Sequence, residues 1–174
     1  MYIKYMLVTI AAGICVFYGF LNAARLKKHE QSISSFIMFF SALKNEMAYS
    51  RRDIEQTLIY IIPLMDDRFG KFIQRVIDEL STKNVSIKKA FEIAIKGSIN
   101  SGELYVEYED SLIILNAAVV LGTTDYQGQE QILLSAVEQL KNRLKFLDEV
   151  TKIKGQLYKK LGILASTAII IIFL

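Results

Sequence analysis

The chain has 174 residues, room for one domain with a core of its own, and 52% of them are hydrophobic against 22% charged. A formal net charge of +3, with Lys and Arg interleaved among Asp and Glu, excludes the concentrated basic surface on which nucleic-acid binding depends. A single cysteine, Cys15, excludes an intrachain disulfide, and with a single histidine it leaves no zinc ligand set within one chain.

The first element is an uncharged run from Tyr5 to Leu21, "YMLVTIAAGICVFYGFL", preceded by Lys4 and followed by Arg25, Lys27 and Lys28. It is just long enough to span a bilayer core, which takes about 17–25 residues as a helix. A cleaved signal peptide competes, with Lys4 as its charged leader and "NAA" offering small residues for cleavage. The three cations after the run resist translocation, so the expectation is an uncleaved anchor with the following chain on the cytosolic side.

From Arg25 to Leu157 the apolar spacing is helical almost throughout, with one proline, Pro63, and no sustained period-two alternation. Ile33, Ile37, Phe40, Leu43 or Lys44, and Met47 step by threes and fours, predicting that the first helix continues outward as one rod. Asp53 is placed to cap "IEQTLIYII", with Ile54, Leu58 and Ile61 on one side and Pro63 closing it. Phe69, Phe72, Ile73, Val76, Ile77 and Leu80 predict an amphipathic helix. Ser86 caps the next, whose inner stripe is Ile87, Ala90, Phe91, Ala94 and Ile95, with a break near Gly97 and Gly102. Glu103 to Leu121 reads as helix, and "LIILNAAVVL" within it is apolar nearly all round, which places it at the bundle centre.

A turn follows at "GTTDYQG": Gly122 suits a left-handed position, Thr124 and Gln127 have capping-box spacing, and Asp125 favours a helix start. Leu133, Val137, Leu140, Leu144 and Leu147 form the seam of a last long helix, in which Gly155 is the candidate kink. Lys152, Lys154, Lys159 and Lys160 precede a final apolar run to Leu174. Snorkelling of Lys159 and Lys160 lets the apolar helix begin near Leu157 and Tyr158, and mild bilayer thinning covers the rest of the span. Both ends put their cations toward the middle of the chain, so both termini are expected outside. The fold class is all-α: a six-helix antiparallel bundle, 25–157, flanked by an N-terminal transmembrane helix, 1–24, and a C-terminal one, 158–174.

Catalytic groupings are scarce. His29, beside Lys27, Lys28 and Glu30, reads as a solvated interfacial residue, and the acidic pairs Asp66–Asp67 and Glu107, Glu109, Asp110 are expected to face water. No phosphate-binding glycine loop is present in the sequence. The reading is a non-enzymatic scaffold needing no cofactor, small-molecule substrate or nucleic acid, with membrane lipid and other proteins as partners.

At "VVLGTTDYQGQEQI", and later at "YKKLGILASTAIIIIFL", the sequence resembles the stage III sporulation protein AB family. The matching residues are Leu121, Gly122, Asp125 and Gln129 in an L-G-x-x-D-x-x-x-Q turn, then Lys159, Leu161 and Gly162 in a K-x-L-G tail. In that tail Gly162 is followed four residues later by Ser166, where the family tends to G-x-x-x-G. "SIKKAFEIAI" is similar to the family's central helix, and the opening has the expected layout. The resemblance implies a mother-cell membrane protein of endospore formers, working with a secretion-type ATPase and channel components that join mother cell to forespore, as a homo-oligomer in that complex. It further implies a soluble domain similar to the F-type platform domain of type II secretion and type IV pili. An inner-membrane platform of such a system proper is the first rival; a membrane-bound enzyme and a secreted helical protein are the others. On this reading Gly122, Asp125 and Gln129 build the turn between the last two helices, and Gly162 serves helix packing in the membrane. Asp66, Asp67 and Arg68, with the Thr123–Gln129 loop, dock the ATPase, while Arg25, Lys27, Lys28, Lys159 and Lys160 flank the membrane.

Overall fold

The computed structural model describes residues 2–49, 53–83, 85–121 and 126–173. Among these residues there are six α-helices and no strand: α1 (Tyr2–Tyr49), α2 (Ile54–Ile61), α3 (Asp67–Lys83), α4 (Ile87–Asn100), α5 (Tyr108–Val119) and α6 (Tyr126–Phe173), with a 3₁₀ turn at Ile62–Leu64. The all-helical class is as the periodicity predicts. As the spacing predicts for the first helix, the apolar ends are not separate helices but the outer parts of α1 and α6. The chain divides into two compact units, one made of residues 1–30 and 146–174 and the other of residues 31–145.

The inner unit, 31–145, has a phenylalanine core. Phe36, Phe39 and Phe40 of α1, Phe69 and Phe72 of α3, and Phe91 of α4 are all buried. Ring centroids of Phe36 and Phe69 lie 4.8 Å apart edge to face, Phe36 and Phe72 5.2 Å, and Phe72 and Phe91 5.9 Å. Each such side chain contributes about 1.5–3 kcal/mol by leaving water, and the edge-on pairs add about 0.5–1.5 kcal/mol each. The stripe on α1 therefore differs from the expected one: Ile33, Phe36, Phe39, Phe40 and Leu43 face inward, while Ile37, Lys44 and Met47 are only half-buried.

Helix boundaries follow local chemistry. Asp53 does precede α2, but its side chain makes no cap bond; its carbonyl accepts from both the N–H and the hydroxyl of Thr57, at 3.0 and 3.1 Å. Pro63 sits in the 3₁₀ turn that ends α2. Ser86 Oγ accepts from the Lys89 N–H at 3.4 Å and starts α4 as expected. That helix does not break at Gly97. It runs on to Asn100, the Arg75 side chain lies over Gly97, and the turn comes at Gly102, whose φ of 73° is the left-handed conformation glycine adopts freely. α5 begins at Tyr108 rather than Glu103, and it is not apolar all round: Ile114, Ala117 and Ala118 are buried while Leu112 and Val119 are exposed.

The outer unit is an antiparallel helix pair. Gly162 of α6 meets Cys15, Val16 and Gly19 of α1, and Gly19 also meets Tyr158, so the contacts run in opposite directions along the two helices. Within α1, the stretch Val8–Ala48 holds a segment apolar enough to cross a membrane, and among the described residues it is the one helix that meets that test of length and composition.

Candidate functional site

Two places carry the features on which the sequence reading turned: the glycine seam of the outer unit and the charged groups of the inner unit. At the seam, a Cβ added to Gly19 would stand 2.6 Å from the Tyr158 carbonyl oxygen and 3.3 Å from the Gly162 Cα; one added to Gly162 would stand 3.0 Å from the Cys15 carbonyl. Backbone therefore meets backbone, a closeness that only glycine on both helices permits. Gly162 lies where α6 crosses α1. Gly19, its counterpart, was not singled out from sequence, although its spacing of four from Cys15 within an apolar run is the available signal. Beside the seam lies an apolar groove of about 340 Å³ lined in part by Ile14, Tyr18, Tyr158, Leu161 and Ala165.

Cations stand at the inner end of this pair. Lys159 Nζ lies 5.6 Å from the Phe20 ring centroid, a cation–π distance, and both Lys159 and Lys160 are exposed. Arg25 is exposed, Lys28 half-buried, and Lys27 pairs with Glu30 at 2.6 Å. Lys152 bonds Asp148 at 2.6 Å, and that bond raises its pKa. His29 is buried rather than solvated.

In the inner unit, Asp66 is a structural cap. Its Oδ1 accepts from the N–H groups of Arg68 and Phe69 at 3.0 and 3.1 Å, satisfying the first turn of α3, and its Oδ2 accepts from the Ser35 hydroxyl at 3.1 Å. Asp67 and Arg68 are exposed. Leu121 is fully buried just after α5, and Gln129 is buried in the second turn of α6. Gly122, Thr123, Thr124 and Asp125, the rest of the expected turn, lie outside the described residues.

The acidic cluster expected to face water does not do so uniformly. Glu107 and Glu109 are exposed, but Asp110 is completely buried. Its Oδ1 accepts from Arg143 Nε of α6 at 2.9 Å and its Oδ2 from the Glu107 N–H at 3.1 Å, while Arg143 also reaches Glu109 at 2.8 Å and Glu107 at 3.5 Å. Burial opposes the charge on Arg143, yet the hydrogen bond and charge of Asp110, helped by the other two carboxylates, hold its pKa above the usual value. Removing Arg143 strands the buried Asp110 carboxylate, a loss of about 3–5 kcal/mol, whereas without Asp110 the guanidinium keeps Glu109. The pair serves architecture, joining α5 to α6. From sequence, the Glu107-x-x-Asp110 capping spacing was visible, but the cation that makes burial possible lies far along the chain.

An all-helical chain with a phenylalanine-cored unit and an apolar helix pair closed over glycine belongs with helical proteins whose candidate membrane span adjoins a globular part. The family model described as Stage III sporulation protein AB (spore_III_AB) matches residues 4–174, and the chain belongs to that family. A solved structure of a Stage III sporulation protein AB (SpoIIIAB) is similar with a TM-score of 0.63 at 15% sequence identity, over 72% of this chain and 97% of that one. At that identity the likeness speaks for the fold. No curated protein is significantly similar to the chain. The resemblance drawn from the turn and tail motifs is thus borne out, and with it a sporulation-related role.

Proposed function

We propose that this protein is a non-enzymatic, membrane-anchored platform of a secretion-like channel complex between mother cell and forespore, held in the membrane by the outer parts of both α1 and α6, with the inner unit in the cytosol. The observation that carries the reading is the inverted packing of the outer unit. Gly19 and Gly162 are buried, whereas Phe17, Tyr18, Leu164 and Ile172 are all more than three-fifths exposed. In water this arrangement wastes the hydrophobic effect; in a bilayer, where lipid tails are as apolar as the side chains, close backbone packing through small residues is what holds helices together. The antiparallel pair brings both termini to one side, and the cations at its inner end favour the cytosolic leaflet for the rest of the chain. The family supports sporulation as the setting over a type II secretion or pilus platform. A secretion-type ATPase and further channel components are the proposed partners, and the exposed Asp67–Arg68 turn is one surface open to them.

Cysteine labelling tests the topology. In a Cys15→Ser background, Gln74→Cys on exposed α3 is expected to resist a membrane-impermeant maleimide in intact cells and to react after permeabilisation. Reaction in intact cells, or recovery of the chain in the soluble fraction without detergent, overturns the proposal.

A further inference from the structure

The groove beside the glycine seam of the outer unit is an apolar slot with one polar mouth. Its walls are Ile14, Tyr18 and Asn22 of α1 and Tyr158, Leu161 and Ala165 of α6, around a volume of about 340 Å³. From Ile14 to Asn22 it runs about 12 Å along α1, close to the half-thickness of a bilayer core, about 15 Å. The polar side chains lie at the end nearer the middle of the chain. Asn22 closes that inner end, its side-chain amide donating to the Tyr18 carbonyl at 2.9 Å, and Tyr18 and Tyr158 flank it. Tyrosine is a residue type that collects at the level of lipid headgroups.

Two cations stand just beyond that mouth. Arg25 follows Tyr18 and Asn22 by seven and three residues, and Lys154 precedes Tyr158 and Leu161 by four and seven. Each therefore shares a helix face with the groove residues of its own helix and lies a turn inward of them, outside the slot itself. The antiparallel contact of Gly19 with Tyr158 and Gly162 sets the two cations at one level. Both are exposed, and neither is held by an acid among the described residues. The unit's acids are engaged elsewhere: Glu30 pairs with Lys27 at 2.6 Å, Asp148 with Lys152 at 2.6 Å, and Glu149 adds its charge to the same Lys152. An apolar slot alone accepts any hydrocarbon, but an unbalanced pair of cations at one end of it selects a hydrocarbon headed by an anion. A neighbouring helix would have to bring an acid to that level. An anionic phospholipid carries phosphate and acyl chain in that order, and the cytosolic leaflet, whose surface is negative, supplies it on the side where the cations stand. We infer that this groove binds one anionic phospholipid, with its acyl chain along α1 and α6 and its phosphate on Arg25 and Lys154. The inference rests on the membrane anchorage proposed above.

The chain has no tryptophan, so a single introduced one reports alone. Full-length protein carries either Tyr18→Trp, in the groove wall, or Phe17→Trp, at the same depth but outside the groove. Each is reconstituted into phosphatidylcholine vesicles in which a minor lipid, phosphatidylglycerol or phosphatidylcholine, bears brominated acyl chains that quench tryptophan on contact. A cation at a headgroup is worth about fivefold in affinity, so brominated phosphatidylglycerol should be preferred by at least about fivefold at Tyr18→Trp and by less than about twofold at Phe17→Trp. Adding Arg25→Gln with Lys154→Gln should lower the preference at position 18 to that at position 17. Lys159→Gln with Lys160→Gln removes the same charge away from the groove, Lys159 lying over Phe20, and should leave the preference in place. If the Arg25 and Lys154 double variant does not fold, the two single changes are read in its place and each must lower the preference. A preference lowered equally by both pairs of changes overturns the site, as does an equal preference at positions 17 and 18 when both are quenched. Quenching at neither position by either lipid overturns the anchorage itself, and the inference with it.

Discussion

Along α1 the same residue type is packed in two opposite ways. Phe17 is 65% exposed and Phe20 48%, whereas Phe36, Phe39 and Phe40, a few turns onward in the same helix, are at 0%. In the inner unit large aromatic side chains make the core and charged groups take the surface. In the outer unit glycine takes the interior and large apolar groups take the surface. Composition alone does not separate the two halves, since both are rich in Phe, Ile and Leu. What separates them is which size of residue lies between the helices. Large side chains inside signal that burial drives assembly, and small ones inside signal that backbone proximity does.

A matched pair of truncations is the hardest test of this contrast. Phe72→Ala removes a ring in contact with Phe36, Phe69 and Phe91 and is expected to destabilise the inner unit by about 3–5 kcal/mol. Phe17→Ala removes a ring of similar size from an exposed position and is expected to change stability by less than about 0.5 kcal/mol. Chemical unfolding of the detergent-solubilised full chain, followed by helical ellipticity, compares them directly. Equal losses would mean that the outer unit has an aromatic core after all and that the inversion is wrong.

A second pair probes the seam. Gly19→Leu forces a side chain into the Tyr158 carbonyl and should cost about 1–3 kcal/mol by overpacking, with separation of the two helices. Gly13, with nothing within 4 Å of its would-be Cβ, is the control: Gly13→Ala is expected to be neutral or to stabilise by up to about 1 kcal/mol through helix propensity. Spin labels on Tyr18 and Leu161, each replaced by cysteine without Cys15, would report the helix separation. Widening for Gly13→Ala, or none for Gly19→Leu, contradicts the glycine contact.

Features set by neighbours in sequence were the legible ones. The stripe Phe69, Phe72, Ile73, Val76, Ile77 of α3, the Ser86 cap and the Pro63 stop each depend on residues within a turn or two, and each is found where spacing put it. The face of α1 was not legible, because Phe36 to Phe40 is an unbroken apolar run from which periodicity cannot choose a side. Tertiary context chose Phe36 and Phe39 by setting α3 against them. Asp110 and Gly162 show the same limit. One is buried because Arg143 reaches it, and the other is a glycine because Gly19 passes it, and neither partner is near in the chain.

The smallest expected effect lies where the inner unit meets water. Hydrogen bonds from Lys96 and Lys89, reinforced by their charges, lower the Glu92 pKa to about 2 from its ordinary 4.5. A carboxyl depressed in the folded state adds stability that is present above its unfolded pKa, so the contribution is lost as pH falls from 4.5 toward 2. Because Glu92 is partly open to water and both of its lysines are exposed, water and salt screen the pair, and the loss in global stability should be slight even though the titration itself is displaced. A carboxyl-detected NMR titration should place Glu92 well below the other surface glutamates, and replacing Lys89 and Lys96 by Met should return it to the ordinary range. A midpoint near 4.5 in the unmodified protein would show that these lysines are not held on Glu92 and that α4, unlike the Arg143–Asp110 contact between α5 and α6, carries no fixed ion pair.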